Sequence, residues 1–261
     1  MPLFEMDYYS NALGMNTTVK IILPDCQNDP DKSFKTLYLL HGLKGDCTSW
    51  IRSSSIERYA NAHEIAVVMP SVARSWYADT AYGAKYFTFV SEELPAVCRG
   101  YFKGMSAARE DNFVGGLSMG GYGALKVALT FPEKYYGCIS LSGALDITRK
   151  GRTYSLDEWR GNFGFDIESA IQLEGGENDI FELLRNRAEE GKTLPKIFMW
   201  CGTEDSLINV NREYHKLLSE LGVEHIYTES EGNHTWKWWD MHIQPALKYF
   251  FSKDGDASYI N

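Results

Sequence analysis

Residues 112–125 read NFVGGLSMGGYGAL and join a short apolar run to a helical pattern through the motif Gly116-Leu117-Ser118-Met119-Gly120. The run has the length of a buried strand, and the pattern that opens at Gly120 is typical of a helix. A G-x-S-x-G sequence between the two is the signature of a sharp turn that holds its serine in a strained backbone conformation. The glycines of the motif remove side chains that would collide with the neighbouring strand and helix. This stretch therefore predicts that Ser118 Oγ projects from the carboxyl edge of a sheet.

The chain on either side of this motif alternates short apolar runs with helix-length segments. Such alternation predicts an α/β fold with a mostly parallel central sheet and crossover helices on both faces. The runs assigned to strands are 36–40, 65–69, 112–115, 138–141, 197–201 and 225–228, and the helical segments are 48–62, 91–102, 120–131, 209–221 and 236–251. At the amino end, 4–9 and 17–23 alternate as the strands of an antiparallel hairpin. With 261 residues, the chain is expected to form a single domain, 1–261.

One connection, 143–195, is too long for a simple crossover between two strands. Within it, 179–190 has the pattern of a helix, while Trp159, Phe163 and Phe165 are bulky apolar residues in glycine-rich surroundings. We expect this insertion to cover the candidate site as a small lid or a pocket wall. Core packing of the same aromatic residues is the alternative.

The composition argues against several classes of partner. A formal net charge of -9 without a long cluster of Lys and Arg disfavours nucleic acid. No run approaches the roughly 18 apolar residues of a membrane helix, and the sequence from Met1 to Glu5 lacks the basic and apolar segments of a signal peptide. The five cysteines are scattered without a C-x-x-C pair, which favours reduced thiols and a cytoplasmic location. A homo-oligomer is left open.

The sequence lacks the motifs of several other chemistries. It contains no H-E-x-x-H, no G-x-x-x-x-G-K-[ST] and no strand-linked G-x-G-x-x-G. We therefore expect neither a metal nor a cofactor, and a small molecule as the substrate.

A serine hydroxyl needs a base before it can act as a nucleophile. Among the six histidines, His234 is the best candidate because it lies in a loop directly after the last predicted strand. The acid that orients it should follow the preceding strand, where Glu204 and Asp205 stand next to each other. We assign the role to Asp205 and keep Glu204 as the alternative. Serine, then aspartate, then histidine is the chain order of α/β-hydrolases.

Two backbone N–H groups are candidates for binding a developing oxyanion. The turn places Met119 at the amino end of a helix, where free N–H groups and the helix dipole favour negative charge. His41-Gly42-Leu43 follows the first central strand, where this kind of fold supplies a second donor, and we predict that it is the Leu43 N–H. His41 is interpreted as orienting this loop rather than as a base.

Together these motifs resemble those of the putative esterase family. The similarity extends from about residue 4 to 250 and rests on His41-Gly42-Leu43 with Trp50 and on the segments 91–95, 116–124, 201–205 and 232–236. That family includes esterase D (S-formylglutathione hydrolase), feruloyl and acetyl xylan esterases and mycolyl transferases, and the chain looks most like the bacterial tributyrin esterases. The resemblance implies an α/β-hydrolase that acts as a cofactor-free serine carboxylesterase on short acyl groups, acetyl to butyryl. It implies the same catalytic residues, Ser118, Asp205 and His234, and the same oxyanion donors, Leu43 and Met119.

Two departures from the esterase D pattern concern the substrate. Lys44-Gly45 stands where that branch has Thr-Cys, and Ser206 follows Asp205 instead of an aromatic residue. The alternatives that stay open are an acetyl xylan or feruloyl-type sugar esterase, an S-formylglutathione hydrolase, an acyltransferase and a binding module without activity. The candidate residues for contact with the substrate are Trp76, Tyr77 and Tyr82, in the loop after Pro70, and Trp236 beside the base.

Overall fold

The computed structural model describes residues 1–25, 32–150, 156–164 and 173–252, with the backbone alone for 149, 150 and 156. Its strands are β1 Leu3–Ser10, β2 Met15–Ile22, β3 Thr36–Leu40, β4 Ala66–Pro70, β5 Asn112–Leu117, β6 Gly137–Leu141, β7 Lys196–Gly202 and β8 His225–Ser230. They form an eight-stranded sheet in the order β1-β2-β4-β3-β5-β6-β7-β8. β2 pairs antiparallel with both β1 and β4, whereas the other neighbouring strands are parallel. The predicted α/β architecture with an antiparallel amino-terminal hairpin is confirmed.

The burial of the strands explains why their sequences differ. Every residue of β3, β4, β5 and β6 is buried, so these strands need apolar side chains on both faces and appear in the sequence as continuous apolar runs. β1 lies at one edge of the sheet and is mostly exposed. That is why its sequence alternates apolar with polar residues.

The described helices are α1 Ser49–Ser53, α2 Ile56–His63, α3 Tyr86–Thr88, α4 Leu94–Tyr101, α5 Met119–Thr130, α6 Ile147–Lys150, α7 Leu156–Phe163, α8 Ile180–Glu189, α9 Ile208–Glu220 and α10 Trp236–Phe251. The single helix predicted at 48–62 is two helices, α1 and α2. Ser54 between them is extended, and the Ser55 N–H donates to Asp240 Oδ1 at 2.9 Å. This bond to α10 is a long-range contact that local sequence does not reveal.

Helix α4 also differs from its prediction, which began at residue 91. A π-helical turn, Phe89–Glu93, precedes it and joins it to α3. Pro95 lies just after this turn and has no N–H for the hydrogen bond to the preceding turn. The widened turn accommodates the missing bond.

Helices cover both faces of the sheet and create two hydrophobic cores. On one face, α5 packs with α4, α8 and α9 over the sheet, and on the other face α2 and α10 pack together. Helix α5 is buried from Met119 to Leu129, so the helix that follows Ser118 is held firmly in place. Within the described part of the chain, no helix has both the length and the apolar content needed to span a lipid bilayer.

The long connection between β6 and β7 contains α6, α7 and α8. Helix α7 is held on the loop after β4, because the Asn162 side chain donates to Arg74 O at 2.9 Å and Ala81 N–H donates to Asn162 O at 3.1 Å. Trp159 of α7 is fully buried and contacts Phe163, with 4.6 Å between ring centroids. Phe165, the third aromatic residue of the predicted lid, lies outside the described residues. The lid role of this segment remains a prediction.

Candidate active site

The candidate site lies where the chain reverses direction across the sheet. After β3 the chain moves outward to β4 and then returns to β5 on the other side of β3. The carboxyl ends of β3 and β5 are therefore neighbours whose connections leave in opposite directions, and this arrangement opens a crevice at the sheet edge. β5 leads into Ser118, and β3 leads into His41 and Gly42.

The backbone at Ser118 has the predicted strained turn. Its φ of 54° and ψ of -119° lie outside the regions that residues with side chains usually adopt. A Cβ on Gly116 would lie 2.5 Å from the Gly120 carbonyl, and a Cβ on Gly120 would lie 2.5 Å from Leu40 O. Only glycine at both positions therefore lets the turn approach the end of β3.

Three side chains from three loops meet at this turn. His234 Nε2 lies 2.9 Å from Ser118 Oγ, and His234 Nδ1 lies 2.8 Å from Asp205 Oδ2. The Asp205 carboxylate side chain is completely buried, whereas the His234 side chain is about one-third exposed. The three groups form a series from a buried acid to an accessible hydroxyl, and this arrangement is suited to removing a proton from the serine.

The loops that carry Asp205 and His234 are joined to each other. Glu204 N–H donates to Gly232 O at 2.9 Å, and a Cβ on Gly202 would lie 2.1 Å from the same oxygen. Gly202 therefore permits the two loops to touch directly after β7 and β8. The Glu204 side chain is exposed, and the carboxylate that contacts the histidine is that of Asp205.

Several donors offset the burial of the Asp205 carboxylate. Burial by itself raises the pKa of Asp205, but hydrogen bonds from His234, from the Leu207 N–H and from the Ser142 hydroxyl hold that pKa below its usual value. The Leu207 N–H lies 2.9 Å from Asp205 Oδ1. The carboxylate is consequently ionised at neutral pH and can stabilise a protonated imidazole beside it.

His41 is buried directly after β3, next to Gly42. Its Nε2 accepts a hydrogen bond from the Val72 N–H at 3.0 Å, which leaves Nδ1 as the protonated nitrogen that donates to Gly42 O at 2.7 Å. Burial lowers the pKa of His41, in agreement with a neutral ring. Its contacts join the end of β3 to the loop after β4, as expected for a residue that orients the loop.

Met119 and Leu43, whose N–H groups are the two predicted oxyanion donors, lie beside Ser118. Met119 is the first residue of α5, so its N–H has no acceptor one turn earlier within the helix. Gly42, next to Leu43, is so close to the turn that a Cβ there would lie 3.4 Å from Ser118 Cβ. Leu43 and Ser118 line the same cavity.

This cavity has a volume of about 460 Å³ and opens above Ser118 and His234. Trp76 and Trp239 are its buried walls, 1% and 6% exposed respectively. Lys44 and Thr235 at its rim are exposed. The complete lining is Gly42, Leu43, Lys44, Gly45, Ser49, Trp76, Leu117, Ser118, His234, Thr235, Trp236 and Trp239.

The four residues predicted to contact the substrate are divided between this cavity and other places. Trp76 and Trp236 line it, as stated above. Tyr77 is fully buried elsewhere and its hydroxyl donates to His41 O at 2.9 Å, while Tyr82 is 80% exposed; neither lines the cavity. Trp239 also lines the cavity but was not among the four predicted contact residues. Its position three residues after Trp236 on one helix places both side chains on one face.

Among the described residues, no group of three or more His, Cys, Asp and Glu side chains is arranged to hold an ion. The described cysteines, Cys47, Cys98, Cys138 and Cys201, are buried, and no disulfide bond joins any two of them.

Comparison with protein families gives a match along most of the chain. The model of the family described as "Putative esterase" matches residues 10–250. An acetyl esterase from Caldicellulosiruptor saccharolyticus is 35% identical over 267 residues, which covers 95% of this chain and 98% of the relative. These matches include every segment that carries Ser118, Asp205 and His234.

Two solved structures from Staphylococcus aureus are similar along nearly the whole chain. Substrate-bound fluorophosphonate-binding serine hydrolase F has a TM-score of 0.86 and 34% identity, and the similarity covers 96% of this chain and 98% of that one. The S-formylglutathione hydrolase apoenzyme has a TM-score of 0.87 and 33% identity, with the same coverage of 96% and 98%. Their α/β-hydrolase fold is the fold of this chain.

Proposed function

We propose that this chain, which belongs to the putative esterase family and is a carboxylic ester hydrolase, cleaves short-chain acyl esters through an acyl-Ser118 intermediate. The match to the family model confirms the resemblance drawn from the motifs. The alternative of a binding module without activity is therefore set aside. The observation that carries the proposal is the hydrogen-bonded series from Asp205 through His234 to Ser118 at the wall of a cavity.

The first half of the proposed reaction transfers the acyl group to the protein. His234 Nε2 accepts the hydroxyl proton while Ser118 Oγ forms a bond to the ester carbonyl carbon. The bond from that carbon to the alcohol oxygen then breaks, and His234 donates the proton to the leaving alcohol. The products of this half are a free alcohol and acyl-Ser118.

The second half returns the protein to its starting state. A water molecule gives a proton to His234 as its oxygen attacks the acyl carbon. The bond to Ser118 Oγ then breaks, the proton returns to that oxygen, and the carboxylic acid leaves. In both halves Asp205 stabilises the imidazolium and fixes the orientation of the ring.

The oxyanion forms twice, once in each half of the reaction. In the proposed mechanism its negative charge is bound by the Leu43 and Met119 N–H groups. Both belong to the backbone, so they are held in place before the charge develops and need no reorganisation. The position of Met119 at the amino end of a buried helix supports this role.

The buried walls of the cavity support the proposed preference for short acyl groups. Trp76 is held from behind by Tyr122 of α5 and Trp159 of α7, with ring centroids 6.0 Å and 6.4 Å away. A wall supported on two sides cannot move without disturbing the core. We propose that it ends the acyl pocket after a few carbons.

Hydrolysis should therefore decline with acyl length. Methylenes beyond butyryl must displace packed side chains, which costs roughly 1–3 kcal/mol, or about fivefold to more than a hundredfold in rate. The measurement is kcat/KM for a series of 4-nitrophenyl esters from acetate to decanoate. Trp76→Leu should move the preference toward longer acyl chains, because the smaller leucine side chain leaves space where the indole closes the acyl pocket. A wild-type maximum at eight or more carbons would contradict the short pocket.

A second candidate substrate class is an acylated sugar. Trp236 at the cavity supplies a flat apolar face, and the exposed Lys44 and Thr235 supply polar groups at the rim. A sugar ring presents both kinds of surface, so an acetylated sugar would fit as the leaving group. Comparing acetylated xylose with ethyl acetate distinguishes this candidate from a simple short-chain ester.

Added alcohols test acyl transfer in the same assay, because a transferase would form a new ester instead of free acid.

A further inference from the structure

Two peptide units meet at Gly42, and their orientation decides where the Leu43 N–H points. A Cβ at position 42 would lie 2.8 Å from Leu117 Cδ1, so the close approach of the loop to the end of β5 requires glycine there. Glycine also leaves the backbone free to rotate. A fixed Leu43 N–H therefore requires contacts that hold both peptide units of this segment, His41-Gly42-Leu43, which we call the 41–43 loop.

The second peptide unit, between Gly42 and Leu43, is held at its carbonyl. His41 Nδ1 donates to Gly42 O at 2.7 Å, and the Gly45 N–H donates to the same oxygen at 2.9 Å. In a trans peptide, such as this one, the C=O and the N–H point in opposite directions. The Leu43 N–H therefore points away from these two donors.

The first peptide unit, between His41 and Gly42, is held by a residue from the loop after β4. Tyr77 Oη donates to His41 O at 2.9 Å. The Tyr77 side chain is fully buried, and burial raises the pKa of Tyr77 well above its ordinary value. The hydroxyl therefore keeps the proton that it donates. With this contact, both peptide units of Gly42 have a hydrogen bond at the carbonyl.

Tyr77 is itself held by α5, the helix that begins directly after Ser118. A Cβ on Gly123 would lie 2.4 Å from Tyr77 Cδ2, so glycine at this position lets the ring lie against the helix. One turn further along α5, the buried Lys126 ammonium donates to Tyr77 O at 3.1 Å and to Asn178 Oδ1 at 2.7 Å. The nucleophile and the contact to the 41–43 loop are therefore attached to the same helix.

We infer that Tyr77 is a positioning residue, whose hydroxyl fixes the His41–Gly42 peptide unit and thereby the direction of the Leu43 N–H. Tyr77 does not line the cavity, so it acts through the 41–43 loop. The inference rests on the proposed function, since it assigns a role within that reaction. Without the hydroxyl the loop can turn at Gly42, and the N–H binds the oxyanion less well. The loss falls on the transition state, because the ester carbonyl of the bound substrate does not yet carry the full negative charge.

The test is Tyr77→Phe, which removes the hydroxyl and keeps the ring that packs against α5. On 4-nitrophenyl butyrate it should lower kcat about tenfold and change KM by less than about twofold. Propylboronic acid supplies a second measurement, because its tetrahedral adduct with a serine hydroxyl places an oxygen where the oxyanion would form. Its inhibition constant should rise by about the same factor as kcat falls. Circular dichroism and the thermal unfolding temperature check the fold.

Tyr214→Phe is the matched control. Tyr214 of α9 is also fully buried, and its hydroxyl also donates to a backbone carbonyl, Ile180 O, at 3.3 Å. That acceptor belongs to α8 and not to the 41–43 loop. The control should lower the thermal unfolding temperature about as much as Tyr77→Phe, but keep kcat and the inhibition constant within about twofold. An equal loss of kcat in both variants would make the Tyr77 hydroxyl a general stabilising contact and overturn the inference.

The wild type separates a failure of this inference from a failure of the proposed function. If the wild type hydrolyses 4-nitrophenyl butyrate and Tyr77→Phe matches it in kcat and in the inhibition constant, only the positioning role is wrong. If Tyr77→Phe raises KM and keeps kcat, the residue shapes substrate binding, and the positioning role is again wrong. A wild type that hydrolyses no ester would refute the proposed function, and the inference with it.

Discussion

Ser118→Ala is expected to lower kcat/KM for ester hydrolysis by at least about a thousandfold. The substitution removes the oxygen that forms the acyl bond, and alanine offers no replacement. The fold should survive, because Ser118 lies at the cavity surface and the change removes a single oxygen. The backbone strain at φ 54° is the same for both residues. Activity on 4-nitrophenyl acetate and the thermal unfolding temperature measure the two effects separately.

Ser49→Ala is a matched control for this variant. Ser49 lines the same cavity, but its Oγ accepts a hydrogen bond from the Asp46 N–H at 2.9 Å and has no contact with the base. Its loss of activity should stay within about tenfold. A fluorophosphonate probe should label the wild type and Ser49→Ala but not Ser118→Ala. If folded Ser118→Ala keeps more than a tenth of the activity, another residue must be the nucleophile.

The sequence was sufficient for those parts of the site that depend on local backbone chemistry. Gly116 and Gly120 flank the serine because the turn leaves no space for a Cβ, and this requirement is visible as a motif. The chain order of Ser118, Asp205 and His234 follows from strands that end at one edge of the sheet. Because parallel strands end at the same edge of the sheet, the loops that follow them meet there, whatever structure the residues between the strands adopt.

The cavity walls could not be predicted in the same way. Trp76 and Tyr77 are adjacent and both have positive φ, 54° and 50°, yet one lines the cavity and the other donates to His41 O in the core. Both residues are aromatic, so the sequence does not show which of them faces the cavity. That depends on the path of the loop. Helix α7 fixes that path through Arg74 and Asn162, which are 88 positions apart.

Ser142 shows a second limit of sequence reasoning. It has no motif of its own, and its partner Trp239, whose indole N–H donates to Ser142 Oγ at 3.1 Å, lies 97 positions away in the sequence. Its left-handed φ is also unusual for serine, so local propensity points away from this conformation. The contact exists because α10 packs against β6, an arrangement that the sequence pattern alone did not specify.

Of the two adjacent carboxylates, Asp205 contacts His234 and Glu204 is exposed, and mutation can test whether Asp205 is the acid of the proposed mechanism. Asp205→Asn should lower kcat by about a thousandfold or more, while Glu204→Gln should change it by less than about twofold. The Asn amide can present its NH₂ group to His234 Nδ1, which would then have to accept, leaving the proton on Nε2 and facing Ser118. The ring would no longer be able to take the serine proton, and the negative charge that stabilises the imidazolium would be gone.

Glu204→Gln is a close match for Asp205→Asn because it makes the same chemical change one position earlier on the same loop. Its side chain is exposed, whereas that of Asp205 is completely buried against His234. The Glu204 backbone N–H still donates to Gly232 O in the variant, so the two loops stay joined. Steady-state kcat with circular dichroism as a check of folding gives the ranking. If Glu204→Gln were the inactive variant and Asp205→Asn the active one, the acid would be Glu204 and the loop would have to rearrange during the reaction. If both kept kcat, His234 would be oriented by the backbone alone, and the buried carboxylate would contribute to stability instead of to catalysis.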